Sequence, residues 1–170
     1  MTHRTLFVTG GARSGKSSHA LAQAEASGLS PVFIATAQAG DPEMAARIDR
    51  HRDERGPQWT IIECPVAIAA LIEAQADPSK ILLIDCLTLW TSNLIFGMHD
   101  VVVETARLAA AIQATKGPLI FVTNEVGLGI VPDNALAREF RDSAGRVNQS
   151  VAAACTEAVM SVSGLLLRLK

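Results

Sequence analysis

Aromatic side chains are scarce in this 170-residue chain, five Phe and two Trp, so a core has to be built from aliphatic residues and alanine. Cysteine is equally sparse. Cys64, Cys86 and Cys155 are odd in number and far apart, with no paired spacing that suggests zinc or a redox dithiol, and we expect them reduced, buried and inert. No stretch supplies the roughly 18 uninterrupted apolar residues of a membrane span, and the N-terminus runs into an apolar β-branched segment without the charged and apolar regions of a secretory signal. A cytoplasmic protein is expected. Charge of one sign is also lacking: the net charge is −2, with basic residues scattered among acidic ones, which disfavours a polyanion such as nucleic acid as a partner.

Apolar residues, by contrast, make up 49% of the chain and charged residues only 19%, a balance that excludes disorder. The length suits one domain, residues 1–170, large enough to fold without disulfides or structural metal. Short apolar, β-branched runs at 5–9, 32–36, 59–63, 81–85, 119–123 and 158–162 alternate with segments of helical period. This pattern predicts an α/β fold of the P-loop NTPase kind, a mainly parallel sheet with helices on both faces, and residues 165–170 are placed to return after Gly164 as an antiparallel edge strand. In such a sheet ligands sit beyond the carboxyl ends of the strands, here Gly10, Thr36, Glu63, Asp85 and Asn124.

The first of those ends carries the strongest motif. Gly10-Gly11-Ala12-Arg13-Ser14-Gly15-Lys16-Ser17 is a complete G-x-x-x-x-G-K-[ST] phosphate loop directly after a strand. Its glycines let successive backbone N–H groups turn around phosphate oxygens, and a helix beginning near Gly15 aims its positive end at the same anion. Lys16 is then positioned for the β- and γ-phosphates and Ser17 for Mg²⁺. Residues 81–85, Ile-Leu-Leu-Ile-Asp, are four apolar residues ending in an acid, so Asp85 is a second candidate for Mg²⁺ or its bound water, with a helix cap or an ordinary turn residue as the competing role.

Other segments are less decisive. Asp41 followed by Pro42 starts a densely charged helical pattern through Arg55, in which Arg47 and His51 share a face and Arg50, Arg52 and Arg55 surround the histidine. Taken plainly, this is a solvated helix with internal ion pairs. A sharper reading makes His51 a nucleophile toward a nucleotide α-phosphorus, flanked by guanidinium groups. Residues 123–132, Thr-Asn-Glu-Val-Gly-Leu-Gly-Ile-Val-Pro, read either as a mobile loop that closes over substrate or as a structural turn. They lack the Asn-Lys-x-Asp guanine-reading motif of regulatory GTPases. Residues 138–149 read as a surface helix whose Arg141, Arg146 and Asn148 meet a phosphate, a neighbouring subunit or only solvent.

Taken together, GGARSGKS, IAT before a charged helix ending in R-H-R, the strand ending IEC, ILLIDCLTLW-TSNL, TNEVGLGIVP and FRDSAGRVNQ resemble one family along nearly the whole chain. It is the bifunctional adenosylcobinamide kinase/adenosylcobinamide-phosphate guanylyltransferase family. The resemblance implies phosphorylation of adenosylcobinamide by ATP or GTP, then transfer of GMP from GTP to adenosylcobinamide phosphate through a covalent histidine, matched here by His51. It further implies nucleotide contacts at Gly10, Gly11, Ala12, Arg13, Ser14, Gly15, Lys16, Ser17, Ala35, Thr36, Ala37, Arg52, Asp53, Glu54, Arg55, Glu63 and Asp85. Mg²⁺ and a homo-oligomer, commonly a trimer, are also implied. A simple P-loop kinase without a covalent nucleotide and a GTP-binding regulatory module are the competing functions.

Overall fold

The computed structural model describes residues 3–38 and 56–170. Seven strands form one sheet: β1 (Thr5–Gly10), β2 (Ser30–Ala35), β3 (Thr60–Glu63), β4 (Lys80–Asp85), β5 (Leu119–Val122), β6 (Glu157–Val162) and β7 (Leu165–Arg168). Their spatial order is β3-β2-β4-β5-β1-β6-β7, with every pairing parallel except β6 with β7. All six strand runs expected from the sequence are present, and so is the antiparallel edge. Among the described residues the helices are α1 (Lys16–Ala26), α2 (Ile68–Gln75), α3 (Leu87–Phe96), α4 (Val101–Gln113) and α5 (Ala135–Ala154).

The period of two in a strand sends alternate side chains to opposite faces, and here both faces are covered. Phe7, Val32, Ile34, Leu82, Ile84 and Phe121 pack into one core with Ile68, Ile72, Trp90, Leu108 and Val147 from the helices α2 to α5. Leu6, Val8, Phe33, Leu83, Ile120 and Val122 point the other way, onto Ala20 and Ala24 of α1. Small alanines on α1 let that helix lie close to the sheet, which brings its first residue, Lys16, near the strand ends. The scarcity of aromatics is met by the aliphatic strands, with Trp90 the largest fully buried side chain and its indole Nε1 donating to the Val66 carbonyl at 2.7 Å.

β2 begins two residues earlier than the sequence pattern indicates, and includes Pro31. Pro31 pairs with Ile81 of β4, whereas pairing of β2 with β3 starts only at Val32 and Thr60. On the β3 side the proline therefore sits outside the ladder, where its missing N–H disrupts nothing. Two helices start on side-chain caps: Asp100 accepts from Val102 N and Val103 N, and Asn134 accepts from Ala137 N. The charged segment 41–55 lies outside the described residues.

Candidate nucleotide site at the carboxyl edge

β1 delivers the chain into the phosphate loop. Gly10 approaches so closely that a Cβ there would lie 2.4 Å from the Ser161 carbonyl oxygen, and Gly15 has φ +94°, which side chains disfavour. Glycine is required at both places for these reasons. Ser14 and Lys16 are buried, Ser17 is half-buried, and Gly11, Ala12 and Arg13 are exposed. Lys16 Nζ donates across the loop to the Gly11 carbonyl at 3.0 Å. No side chain caps the start of α1. A helix N-terminus leaves backbone N–H groups without intrahelical acceptors, so an uncapped start inside a glycine-rich loop suits an anion.

The strand register sets where the other candidates stand. Glu63 and Asp85 both pair with Ala35, and Asp85 also pairs with Val122, so these residues form a row across the carboxyl edge. Glu63 is exposed and Asp85 half-buried. β5 separates β4 from β1, which sets the Asp85 backbone about 10 Å from β1, two strand spacings away. Ala35 is buried and Ala37 half-buried at the end of β2. Thr36 between them is fully buried, and its hydroxyl bonds the neighbouring strand: Thr36 Oγ1 donates to Cys86 O at 2.8 Å and accepts from Cys86 N at 2.7 Å. Asn93 of α3 donates to the carbonyls of Thr36 and Pro65, at 2.8 and 2.9 Å. The ends of β2 and β4 are thereby locked together. His51, Arg52, Asp53, Glu54 and Arg55 lie outside the described residues.

The residues following β5, at the strand end marked by Asn124, bond to the last residues of β1. Thr123 N donates to Val8 O and Glu125 N to Gly10 O, each at 3.0 Å. Behind them runs a buried polar network. Thr123 Oγ1 donates to Asn148 Oδ1 at 2.8 Å, Asn148 Nδ2 to Asn124 O at 3.3 Å, and Asn124 N to Thr88 Oγ1 at 2.8 Å. Residues 123–132 are bonded at one end and exposed at the other. The base is fixed, with Gly127 N bonded to Glu125 Oε1 and Arg141 Nη2 bonded to Gly127 O, both at 2.7 Å, while Leu128, Ile130 and Val131 stand exposed. Of the three polar residues singled out on α5, Arg141 holds this loop, Asn148 sits inside the network and Arg146 is exposed.

Burial settles the chemistry of the cysteines. All three are free and buried. Burial, with the negative charge of Asp85 adding to it, pushes the Cys86 thiol up to about 11, and burial pushes Cys155 up to about 12. Both are thiols at neutral pH and poor nucleophiles.

The donor set fits magnesium better than a softer metal. Among the described residues no three His, Cys, Asp or Glu side chains cluster as a metal site. The loop hydroxyl of Ser17 and the carboxylate of Asp85 are hard oxygen donors of the kind Mg²⁺ takes, alongside water and phosphate oxygens, in nucleotide sites.

A parallel sheet with a glycine-rich phosphate loop between β1 and α1 defines a P-loop nucleotide-binding α/β protein. Solved structures agree on that fold: the RadB recombinase superposes with a TM-score of 0.56 at 14% identity, covering 92% of this chain and 73% of that one. The ATPase domain of G40P superposes at 0.52 and 12%, covering 94% and 69%. The chain belongs to the cobinamide kinase / cobinamide phosphate guanyltransferase family, whose model matches residues 6–169. It is 44% identical to the bifunctional adenosylcobalamin biosynthesis protein CobU of Salmonella typhimurium over 97% of this chain and 99% of that protein. The CobP protein of the same description from Pseudomonas aeruginosa is 42% identical over 96% of each. Among the described residues no helix is long and apolar enough to cross a membrane.

Proposed function

We propose that this protein phosphorylates adenosylcobinamide with ATP or GTP and then transfers GMP from GTP to the resulting phosphate, giving adenosylcobinamide-GDP. The observation that carries the reading is membership of a two-activity family along residues 6–169, in a chain whose α1 opens uncapped inside the phosphate loop. In the first reaction the loop N–H groups and Lys16 hold the β- and γ-phosphates, and the substrate hydroxyl oxygen attacks the γ-phosphorus. The bond to the β–γ bridging oxygen breaks, the nucleoside diphosphate leaves, and the hydroxyl proton passes to solvent. Lys16 carries out its part by leaving the Gly11 carbonyl for the phosphate, where its charge offsets the negative charge that develops. Ser17 and Asp85 would hold Mg²⁺, which supplies charge neutralisation between the phosphates when bound.

In the second reaction His51 is the nucleophile. Its ring nitrogen attacks the α-phosphorus of GTP and pyrophosphate departs; an oxygen of adenosylcobinamide phosphate then attacks the same phosphorus and the P–N bond breaks. Arg52, Asp53, Glu54 and Arg55 belong with that histidine, and Glu63 and Ala35, Thr36 and Ala37 with the nucleoside end. Glu63 fits because it is an exposed carboxylate in the same row as Asp85. Thr36 acts through the backbone it positions. The enzyme works in the cytoplasm as one catalytic domain and as a homo-oligomer, a trimer by family resemblance. The exposed Leu165, Leu166 and Leu167 of β7 support an associating surface.

The test is incubation with Mg²⁺ and GTP labelled at the α-phosphate, followed by denaturation and peptide mass analysis. An acid-labile, alkali-stable GMP adduct on His51 is the expected result. Bound GTP without an adduct would remove the covalent histidine and leave a simple P-loop kinase or a GTP-binding regulatory module.

A further inference from the structure

Beyond β1 the sheet continues with a hairpin, β6 and β7, joined through the two residues Ser163 and Gly164, since Val162 pairs with Leu165. Its turn rests on the phosphate loop. β6 pairs with β1 as far as Gly10 and Ser161, the last register before the loop begins. From there two donors converge on one acceptor: Ser161 Oγ donates to the Ser14 carbonyl at 2.6 Å, and Gly164 N donates to the same carbonyl at 2.9 Å. Ser161 is 1% exposed, so water does not compete for its hydroxyl.

The Ser14 carbonyl belongs to the peptide unit whose N–H is that of Gly15. That peptide is trans, and in a planar trans unit C=O and N–H point in opposite directions. Holding the carbonyl against the hairpin therefore turns the Gly15 N–H away from the hairpin. The φ at Gly15, on the same peptide, is +94°. We infer that Ser161 and the Gly164 N–H are positioning groups for nucleotide binding, which pre-set the Gly15 amide toward the β-phosphate through the Ser14 carbonyl. The inference rests on the reading of residues 10–17 as the phosphate site. It gives the edge hairpin a role in the enzyme: without it the Ser14–Gly15 peptide is free to rotate, and each binding event must order it.

The test compares GDP with GMP, because only the former carries a β-phosphate. Dissociation constants with Mg²⁺ are measured by calorimetry for the wild type, Ser161→Ala and Ser161→Cys, alongside melting temperatures. The thiol variant fills the site with a donor too weak and too long to hold the carbonyl. Both variants are expected to bind GDP about fivefold to tenfold more weakly, the scale of one lost hydrogen bond, and GMP within twofold of wild type. Unchanged GDP affinity in both overturns the inference. So does an equal loss of GDP and GMP with lowered melting, which makes Ser161 a folding residue. If the wild type itself binds GDP no more tightly than GMP, the phosphate-loop reading has failed first, and the two failures are told apart.

Discussion

The phosphate loop and the polar frame behind β4 and β5 meet at the same edge of the sheet, yet they are built in opposite ways. The loop is eight consecutive residues, Gly10 to Ser17, shaped by backbone conformation and presenting backbone groups and one lysine. The frame is assembled from Thr36, Thr88, Asn93, Thr123 and Asn148, side chains from separate segments bonded inward to one another and to the main chain. The loop spends its polar groups on what will bind, whereas the frame spends them on holding strand ends in place. Substitutions in the loop should therefore cost chemistry without unfolding, and those in the frame should cost stability first.

The largest effect expected is that of Lys16→Ala, a loss of about 10²–10³-fold in kcat for phosphorylation of adenosylcobinamide, comparable to removing a preorganised charge-stabilising donor. Its urea midpoint should stay close to wild type; a large fall there would break the contrast, because the lysine would then belong to the frame. Asn148→Leu tests the other side. It removes the acceptor of the buried Thr123 hydroxyl, leaving it Thr88 Oγ1 at 3.3 Å, and the donor to the half-buried Asn124 carbonyl, and unfolding in urea should report a loss of about 1–3 kcal/mol. GDP affinity of the folded variant should change far less than its stability.

A smaller effect sharpens the picture of the interior. Cys86 and Cys155 have folded values of about 11 and 12, above the ordinary 9.0, so the unfolded chain loses these protons first as pH rises. Their stabilisation is complete below about pH 9 and declines above it toward the folded values, by roughly 1 kcal/mol per pH unit for each thiol. Stability measured from pH 8 to 11 should fall along this course, and Cys155→Ala should flatten the slope after its constant cavity cost. The least effect is expected at the rim, where Arg4 binds Glu157 with Nε and Nη2 at 2.8 and 3.1 Å. Hydrogen bonding to Arg4 holds the Glu157 carboxyl below its usual range, so this stabilisation is present above the ordinary carboxylate pKa and is lost as pH falls through the folded value. Both side chains are more than a third exposed, and Arg4→Met should cost only a few tenths of a kcal/mol by denaturant titration.

The same contrast explains what was legible in the sequence. The loop, the strand ends and Asp85 were readable because each depends on neighbours within a few residues: an apolar run, a glycine spacing, an acid closing a strand. The frame was not, since Asn93 reaches Thr36 across 57 positions and Asn148 reaches Thr123 across 25, and residue type alone does not reveal such partners. Asn148 was singled out as a long polar side chain for a phosphate or a neighbour, and it faces inward instead. Residues 123–132 combined both kinds of signal, a fixed base and an exposed apolar tip, which composition alone blends into one loop. The role of Ser161 was hidden for a related reason: a serine near the end of a β-branched run is unremarkable until β6 lies beside β1.

The most direct test of the two-activity account is one reaction followed to its products. Adenosylcobinamide, Mg²⁺ and GTP are incubated with the wild type and with His51→Ala, and the corrinoids are separated and weighed by mass spectrometry. Adenosylcobinamide-GDP from the wild type, with accumulation of adenosylcobinamide phosphate in His51→Ala, is the predicted result. Absence of phosphorylated corrinoid with the wild type, or formation of adenosylcobinamide-GDP by the His51→Ala variant, would contradict it.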